Sequence, residues 1–202
     1  MNKNKVTIEK IKNVFLKKKY DFFEKDEKDY NLNIIGIRSS DLKPNTFNDL
    51  ICLIWKYKGV WNLKLYNATT DPGLYYLQNP MNVKGTAIMV PNQYKKCYEI
   101  GLHKEYEALR QCKAMDYYRD RDKDNQFDFD INSIVTEIGY TDIHRANEKG
   151  ESTVVGKWSA GCMVIASSVN FKEFMTICKN SKEIWGNKFS FTLIKEEDLD
   201  NA

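Results

Sequence analysis

The sequence predicts a mainly β fold with flanking helices (α+β), in which an antiparallel β-sandwich core follows an N-terminal amphipathic helix and ends near a C-terminal helix. Short runs rich in β-branched and aromatic residues, separated by turn residues, predict the strands. Helices do not alternate with these runs, which argues against a doubly wound parallel sheet. The 202 residues, 42% of them hydrophobic, are enough for one core. We therefore expect an N-terminal helix and acidic connection over residues 1–30 and one globular domain over residues 31–202.

The first predicted element is an amphipathic helix over residues 6–20. Its apolar residues fall on one side at helical spacing, and lysines fill the other positions. Those apolar residues are Ile8, Ile11, Val14 and Phe15. The acidic stretch 24–29 then predicts an exposed connection. Because acids follow the lysines directly, we interpret the basic residues as a solvated helix face rather than a binding patch.

The strands come next in the chain. They are predicted over residues 34–37, 50–55, 60–66, 86–90, 98–102 and 114–118. Lys58 and Gly59 predict a hairpin turn between the second and third strands, and the Asp71-Pro72-Gly73 segment predicts another turn. A last strand over residues 189–194 is expected to close the sheet.

The C-terminal helix is predicted from a capping box that joins Asn170 to Glu173. Apolar residues then recur at helical spacing up to Gly186, which predicts the helix end. Those residues are Phe171, Phe174, Met175 and Cys178.

Composition excludes several classes of function. The 31 basic and 28 acidic residues give a net charge of only +3, so we expect no nucleic-acid partner. The five cysteines are odd in number and lack metal-binding spacing, which argues against a disulfide framework and a structural zinc site. The charged N-terminus has no apolar core of a signal peptide, and no segment reaches membrane-spanning length. We expect synthesis in the cytoplasm and no stable membrane insertion.

The residues that carry the most chemical information are His144 and the segment Ser159-Ala160-Gly161-Cys162. A cysteine acts as a nucleophile in its thiolate form, and a histidine within reach is the commonest base. We therefore expect enhanced reactivity of Cys162 that depends on His144. The small residues before Cys162 let the backbone approach a substrate, and nearby amide groups are candidates to stabilise an oxyanion. The alternative is a buried core thiol and a structural histidine.

This segment resembles the signature of the L,D-transpeptidase catalytic domain family. In that family a strand ending in His is followed, after a gap of this size, by a Ser/Thr-His-Gly-Cys motif. Cys162 lies 18 positions after His144, and Ser159, Gly161 and Cys162 match the Ser, Gly and Cys of the motif. Two positions depart from it, because Ala160 replaces the motif His and Val164 replaces an Arg that commonly follows.

The resemblance implies an L,D-transpeptidase-like catalytic domain over residues 31–202 that needs no cofactor. Cys162 would be the nucleophile and His144 the base, acting on peptidoglycan peptide stems by transfer to an amine or to water. Substrate contacts are expected from Ser159, Gly161, Arg145 and Trp158, with a surface salt bridge as the alternative role of Arg145. A phage lysis or virion-associated enzyme, reaching the cell wall through lysis or in the particle, fits the expected lack of a signal peptide. Ala160 and Val164 favour the alternative of a non-catalytic cell-wall-binding or structural β-domain.

Two further features carry weaker signals. Carboxylates at alternating positions reproduce part of a calcium-binding loop, with a structural Ca²⁺ as the expectation and an acidic surface loop as the alternative. The candidate ligands are Asp120, Asp122, Asp124 and Asp128. The loop departs from the motif at Asn125, in place of Gly, and at Ile131, in place of Glu. His103 is the second histidine, and we expect it to be structural because no nucleophile is near it in the sequence.

Overall fold

The computed structural model describes residues 1–24 and 28–202, and the predicted acidic connection lies partly outside them. Within the described residues the chain is mainly β, with eleven strands and four α-helices. The strands are β1 (Asn33–Arg38), β2 (Asp49–Tyr57), β3 (Val60–Thr69), β4 (Thr86–Met89), β5 (Gln93–His103), β6 (Tyr106–Gln111), β7 (Met115–Asp120), β8 (Val135–Glu137), β9 (Ile143–Arg145), β10 (Met163–Ile165) and β11 (Phe189–Lys195). The helices are α1 (Ile8–Lys18), α2 (Leu74–Gln78), α3 (Ser168–Trp185) and α4 (Glu196–Asp200). The predicted mainly β fold with flanking helices is confirmed.

The main sheet is a closed barrel of eight strands rather than the expected sandwich. Its strand order is β1-β11-β5-β6-β9-β10-β3-β2, and β2 pairs again with β1. The barrel closes because β11 pairs with β1 on one side and with β5 on the other. Two of its pairs, β1 with β11 and β9 with β10, are parallel, so the sheet is mixed. Closure leaves no unpaired sheet edge in the barrel.

A second, smaller sheet has the strand order β4-β7-β8. Its central strand β7 pairs antiparallel with β4, where Thr86 lies opposite Asp120 and Ala87 opposite Arg119. β7 also pairs antiparallel with β8. This sheet contributes one wall of the cavity described below.

Strands β1 and β2 are buried on both faces, which explains their uninterrupted apolar sequence. One face joins a large core with β3, β5, α3 and β11, and the other packs against α1 through residues such as Ile35 and Cys52. Helix α1 supplies Ile11, Val14 and Phe15 to this contact, which confirms its predicted apolar side. None of the helices in residues 1–24 and 28–202 is both long and apolar enough to cross a membrane.

The ends of α3 test the predicted capping signals. Ser167 is the N-cap, and its hydroxyl accepts a hydrogen bond from the Asn170 amide at 3.4 Å. The predicted start at an Asn170 capping box is therefore wrong by about one turn, because the serine hydroxyl satisfies the free amide earlier in the chain. The predicted end is confirmed at Gly186, which has a φ of 82°.

Candidate active site

A single open cavity of about 680 Å³ brings together residues that are far apart in the sequence. Barrel residues of β5 and β9 contribute to its lining, and β4, β7 and β8 contribute from the smaller sheet. Cys162, His144, Arg145 and Trp158 all line it, and so does His103. Four of the residues expected at the site from the sequence therefore share one cavity with His103, which was expected to be structural.

The pairing of β9 with β10 places Cys162 and His144 on the same face of the barrel. The strands are parallel, with Met163 opposite Ile143 and Val164 opposite His144. Met163 and Ile143 are buried in the barrel core, so the alternating residues point away from it. Cys162 directly precedes β10 and lines the same cavity as His144.

No protein family model, curated protein or solved structure matches this chain.

The turn that presents Cys162 is shaped by Ser159 and Gly161. The Ser159 hydroxyl donates to the Cys162 carbonyl at 2.8 Å and accepts from the Gly161 amide at 3.2 Å. Ser159 is fully buried and lies outside the cavity lining. Ser159 therefore holds the turn, and its expected contact with a substrate stays a prediction.

Gly161 is required at its position for two reasons. Its φ is 122°, a conformation that side chains rarely adopt. A Cβ atom there would also lie 2.7 Å from the carbonyl oxygen of Ala87, which lines the cavity. Gly161 is absent from the cavity lining, and its backbone conformation positions Cys162. Its expected contact with a substrate stays a prediction.

Replacing Gly161 by Ala is expected to lower the free energy of unfolding by about 2–4 kcal/mol, because it adds a clash with Ala87 to the backbone strain. Denaturant unfolding measures this loss. Gly150→Ala is the matched control, since Gly150 has a φ of 80° and no atom within 4 Å of its added Cβ. It is expected to cost about 1 kcal/mol. Equal losses in the two variants would show that Gly161 makes no close contact with Ala87.

His144 is oriented by its own strand. Its Nδ1 lies 2.7 Å from the Arg145 carbonyl oxygen. A carbonyl only accepts, so Nδ1 carries the proton and donates, which leaves Nε2 as a lone-pair acceptor. Burial lowers the pKa of His144 to about 4, and His103 adds to this effect. His144 is thus a neutral base at pH 7.

Cys162 has a thiol rather than a thiolate in the resting site. Its Sγ lies 3.8 Å from the Tyr140 carbonyl oxygen, to which the thiol donates. Burial raises the pKa of the Cys162 thiol to about 12, and the Asp142 carboxylate adds to this effect. Both the thiol of Cys162 and the imidazole of His144 are therefore neutral at pH 7.

His103 lies against His144, whereas the sequence predicted only a structural role for His103. The two rings stack with centroids 4.3 Å apart and planes 13° from parallel. The Nδ1 of His103 donates to the Asp142 carboxylate at 2.8 Å. This pairing joins the end of β5 to the residue before β9, and neither spacing nor composition indicates it.

Asp142 is the buried centre of this arrangement. Its Oδ1 accepts from the backbone amide of Gln111 at 3.0 Å. Its Oδ2 is the atom that His103 contacts, and Arg110 Nε lies 2.7 Å from it. Its backbone carbonyl accepts from the Met163 amide at 3.0 Å. Asp142 therefore links His103 to the segment that carries Cys162.

Arg145 and Trp158 flank the cavity with exposed or half-buried side chains. The Arg145 guanidinium lies 4.2 Å from the centroid of the Tyr106 ring, a cation–π contact that restricts its position. Within the described part of the chain Arg145 forms no ion pair, which disfavours the salt-bridge alternative. Trp158 is 40% exposed at the cavity. Both side chains are available to a bound molecule.

The predicted calcium ligands lie outside the cavity lining, at the end of β7 and in the loop that follows it. Carboxylate oxygens of Asp120, Asp122 and Asp128 come within 4.8 Å of one another. Asp124 is not part of this group, and its carboxylate accepts from the backbone amide of Gln126 at 2.6 Å. The structure therefore groups three of the four expected residues.

Proposed function

We propose that the protein catalyses cysteine-dependent acyl transfer or hydrolysis on peptidoglycan peptide stems, with Cys162 as nucleophile and His144 as base. One observation carries the proposal: a thiol and an imidazole with a free Nε2 line the same open cavity. The resemblance to the L,D-transpeptidase family supplies the substrate class. The motif residues that it matches also shape the turn that presents Cys162.

The chemistry begins with a neutral pair. As Cys162 Sγ attacks the substrate carbonyl carbon, its proton moves to His144 Nε2 and an S–C bond forms. The tetrahedral intermediate collapses when the C–N bond breaks, and His144 returns the proton to the leaving amine. A thioester results. Water or an amine then loses a proton to His144, attacks the thioester and releases the thiol.

Backbone amide groups beside Cys162 are suited to stabilise the oxyanion. The Gly161 amide already donates to Ser159, and the Met163 amide donates to Asp142. Among the hydrogen bonds of the described residues, the amides of Ala160 and Cys162 have no such acceptor. They are therefore the candidates to donate to the oxyanion in the tetrahedral intermediate.

Cationic side chains at the cavity favour a substrate that carries carboxylates. Lys104, Lys157 and Arg145 line the cavity, and Arg145 is held against Tyr106. Arginine pairs with carboxylates through two parallel hydrogen bonds. Peptide stems carry free carboxylates, so these side chains provide attraction where the family arginine is replaced by Val164, which is fully buried.

We expect His103 to act as a positioning residue that keeps His144 neutral and correctly oriented. Replacing His103 by Ala removes both the stacked ring and the positive charge that the ring carries when protonated. The acid limb of the pH profile of kcat/KM should then move from near pH 4 toward the ordinary histidine value of about 6.5. Steady-state kinetics between pH 4 and pH 8 measures the shift.

His103→Phe separates the two contributions of this residue. It retains a stacked ring but has no titratable group, so its acid limb should move as in His103→Ala while kcat at pH 8 stays closer to wild type. Unchanged acid limbs in both variants would assign His103 a purely structural role.

Product analysis tests the proposed function. Purified protein is incubated with defined muropeptides, with and without an added D-amino acid, and the products are identified by mass spectrometry. The proposal predicts cleavage at the bond between the L-centre and the D-residue, with exchange of the D-amino acid if transfer competes with hydrolysis. Intact muropeptides that bind without turnover would favour the cell-wall-binding alternative.

A further inference from the structure

The loop after β7 places three carboxylates together without a cationic partner. Asp120 ends β7, and Asp122 and Asp128 follow in the loop, with carboxylate oxygens within 4.8 Å of one another. None of the three forms an ion pair with a Lys, Arg or His of residues 1–24 and 28–202. Three adjacent negative charges repel one another unless a cation lies among them.

A second and independent feature is the unpartnered carboxylate oxygen of Asp120. Asp120 is 1% exposed, and its Oδ1 is buried without any hydrogen-bond partner. Its Oδ2 accepts from the Asp128 amide at 3.1 Å, so the carboxylate is directed at the same loop. A buried polar atom that lacks a partner is costly and rare in folded proteins. A bound cation would satisfy it.

We propose that Asp120, Asp122 and Asp128 bind one Ca²⁺ ion that braces the wall of the catalytic cavity. Oxygen is the ligand atom that Ca²⁺ prefers, at about 2.3–2.6 Å, so opposite ligands on one ion lie up to about 5 Å apart. Mg²⁺ retains most of its water molecules and is usually held by one or two carboxylates, so a group of three protein carboxylates favours Ca²⁺. Backbone carbonyls and water complete its coordination.

The site is connected to the cavity through the smaller sheet. Asp120 lies opposite Thr86, and the adjacent Arg119 lies opposite Ala87. Thr86, Ala87 and Arg119 line the cavity. Ala87 in turn contacts Gly161, whose position sets the turn before Cys162. An ion that fixes the end of β7 therefore stabilises the surface against which the nucleophile turn packs. This coupling rests on the proposed function, whereas the binding itself does not.

Calcium binding is measured on the full-length protein after chelation and buffer exchange. Isothermal titration calorimetry with CaCl₂ should give a stoichiometry of one, and titration with MgCl₂ should give weaker binding. Thermal unfolding should show a rise in Tm of about 5–10 °C at a hundredfold excess over the dissociation constant. A shift below 1 °C at 10 mM CaCl₂ would overturn the proposal.

Charge-neutral variants locate the site. Asp120→Asn should weaken Ca²⁺ binding by about 100-fold, and Asp122→Asn, at an exposed position, should weaken it by about tenfold without disturbing the fold. Asp41→Asn removes one exposed carboxylate elsewhere and should bind Ca²⁺ as the wild type does. Undiminished binding in both Asp120→Asn and Asp122→Asn would place any ion elsewhere and overturn the assignment.

The metal-free proteins provide a check that does not depend on binding. Without an ion, Asp120 Oδ1 is buried without a hydrogen-bond partner and lies close to two further carboxylates, so the charge of Asp120 is unfavourable in the metal-free protein. Metal-free Asp120→Asn should therefore have a Tm at least as high as the metal-free wild type at pH 7.5. Turnover that is unchanged by Ca²⁺ in a protein that binds it would refute the bracing role alone.

Discussion

Replacing Cys162 by Ala is expected to lower turnover of muropeptides by at least about 10³-fold. The reason is that Cys162 lines the same cavity as the neutral imidazole of His144, and without its sulfur no thioester forms. The variant should remain folded, because Cys162 is only half-buried and its side chain faces the cavity rather than the barrel core. Initial rates of product formation, followed by mass spectrometry, measure the loss.

Cys112→Ala is the matched control for this loss. Cys112 is also half-buried and lies outside the cavity lining, with its Sγ 3.4 Å from Lys188 Nζ. Its removal should leave turnover within about twofold of wild type. If Cys162→Ala retained wild-type turnover while Cys112→Ala did not, the nucleophile would be misassigned.

The second large effect is expected at His144. Replacing it by Gln keeps a polar side chain of similar size but removes the base, and should lower kcat/KM by at least about 10³-fold. In the wild type, the imidazole accepts a proton only when neutral, and its pKa is lowered to about 4 by burial and by His103. Activity should therefore persist at pH 5 and fall only as the pH approaches 4.

Unfolding measured over the same pH range distinguishes a loss of activity caused by protonation of His144 from one caused by acid denaturation. The pKa of His144 is lower in the folded protein than in the unfolded chain, where it is about 6.5. Its contribution to stability is thus complete above pH 6.5 and is lost as the pH falls through 4. His144→Gln should show a weaker loss of stability between pH 6.5 and pH 4. An acid limb near pH 6.5 in the wild type, with the protein still folded, would contradict a buried neutral base.

The sequence predicts well those elements that are long enough to show a periodic pattern of apolar residues. Helix α1 and the hairpin of β2 and β3 follow from such patterns, and the hairpin turn at Lys58 and Gly59 has positive φ at both residues. Strands β8, β9 and β10 have three residues each, which is too few for a periodicity to appear. The last strand was expected to close the sheet, but a barrel was not predicted, because it depends on pairing between β1 and β11 at opposite ends of the chain.

The candidate site was likewise predicted only in part from the sequence. The motif and its spacing predicted that His144 and Cys162 act together, and the parallel pairing of β9 with β10 places both at one cavity. The contact of His103 with Asp142 was missed, because these residues carry no motif and meet only through the pairing of β5, β6 and β9. The neutral state of the pair could not be predicted, because it follows from burial.

The central claim is that a substrate acyl group is transferred to Cys162 with the help of His144. Intact-protein mass spectrometry after rapid acid quench of a reaction with a tetrapeptide muropeptide tests it most directly. The acyl-enzyme mechanism predicts a mass increase equal to the acyl portion of the stem, mapped by peptide analysis to Cys162 and absent in Cys162→Ala and His144→Gln. An acyl group on another residue, or turnover by the Cys162→Ala protein, would contradict it.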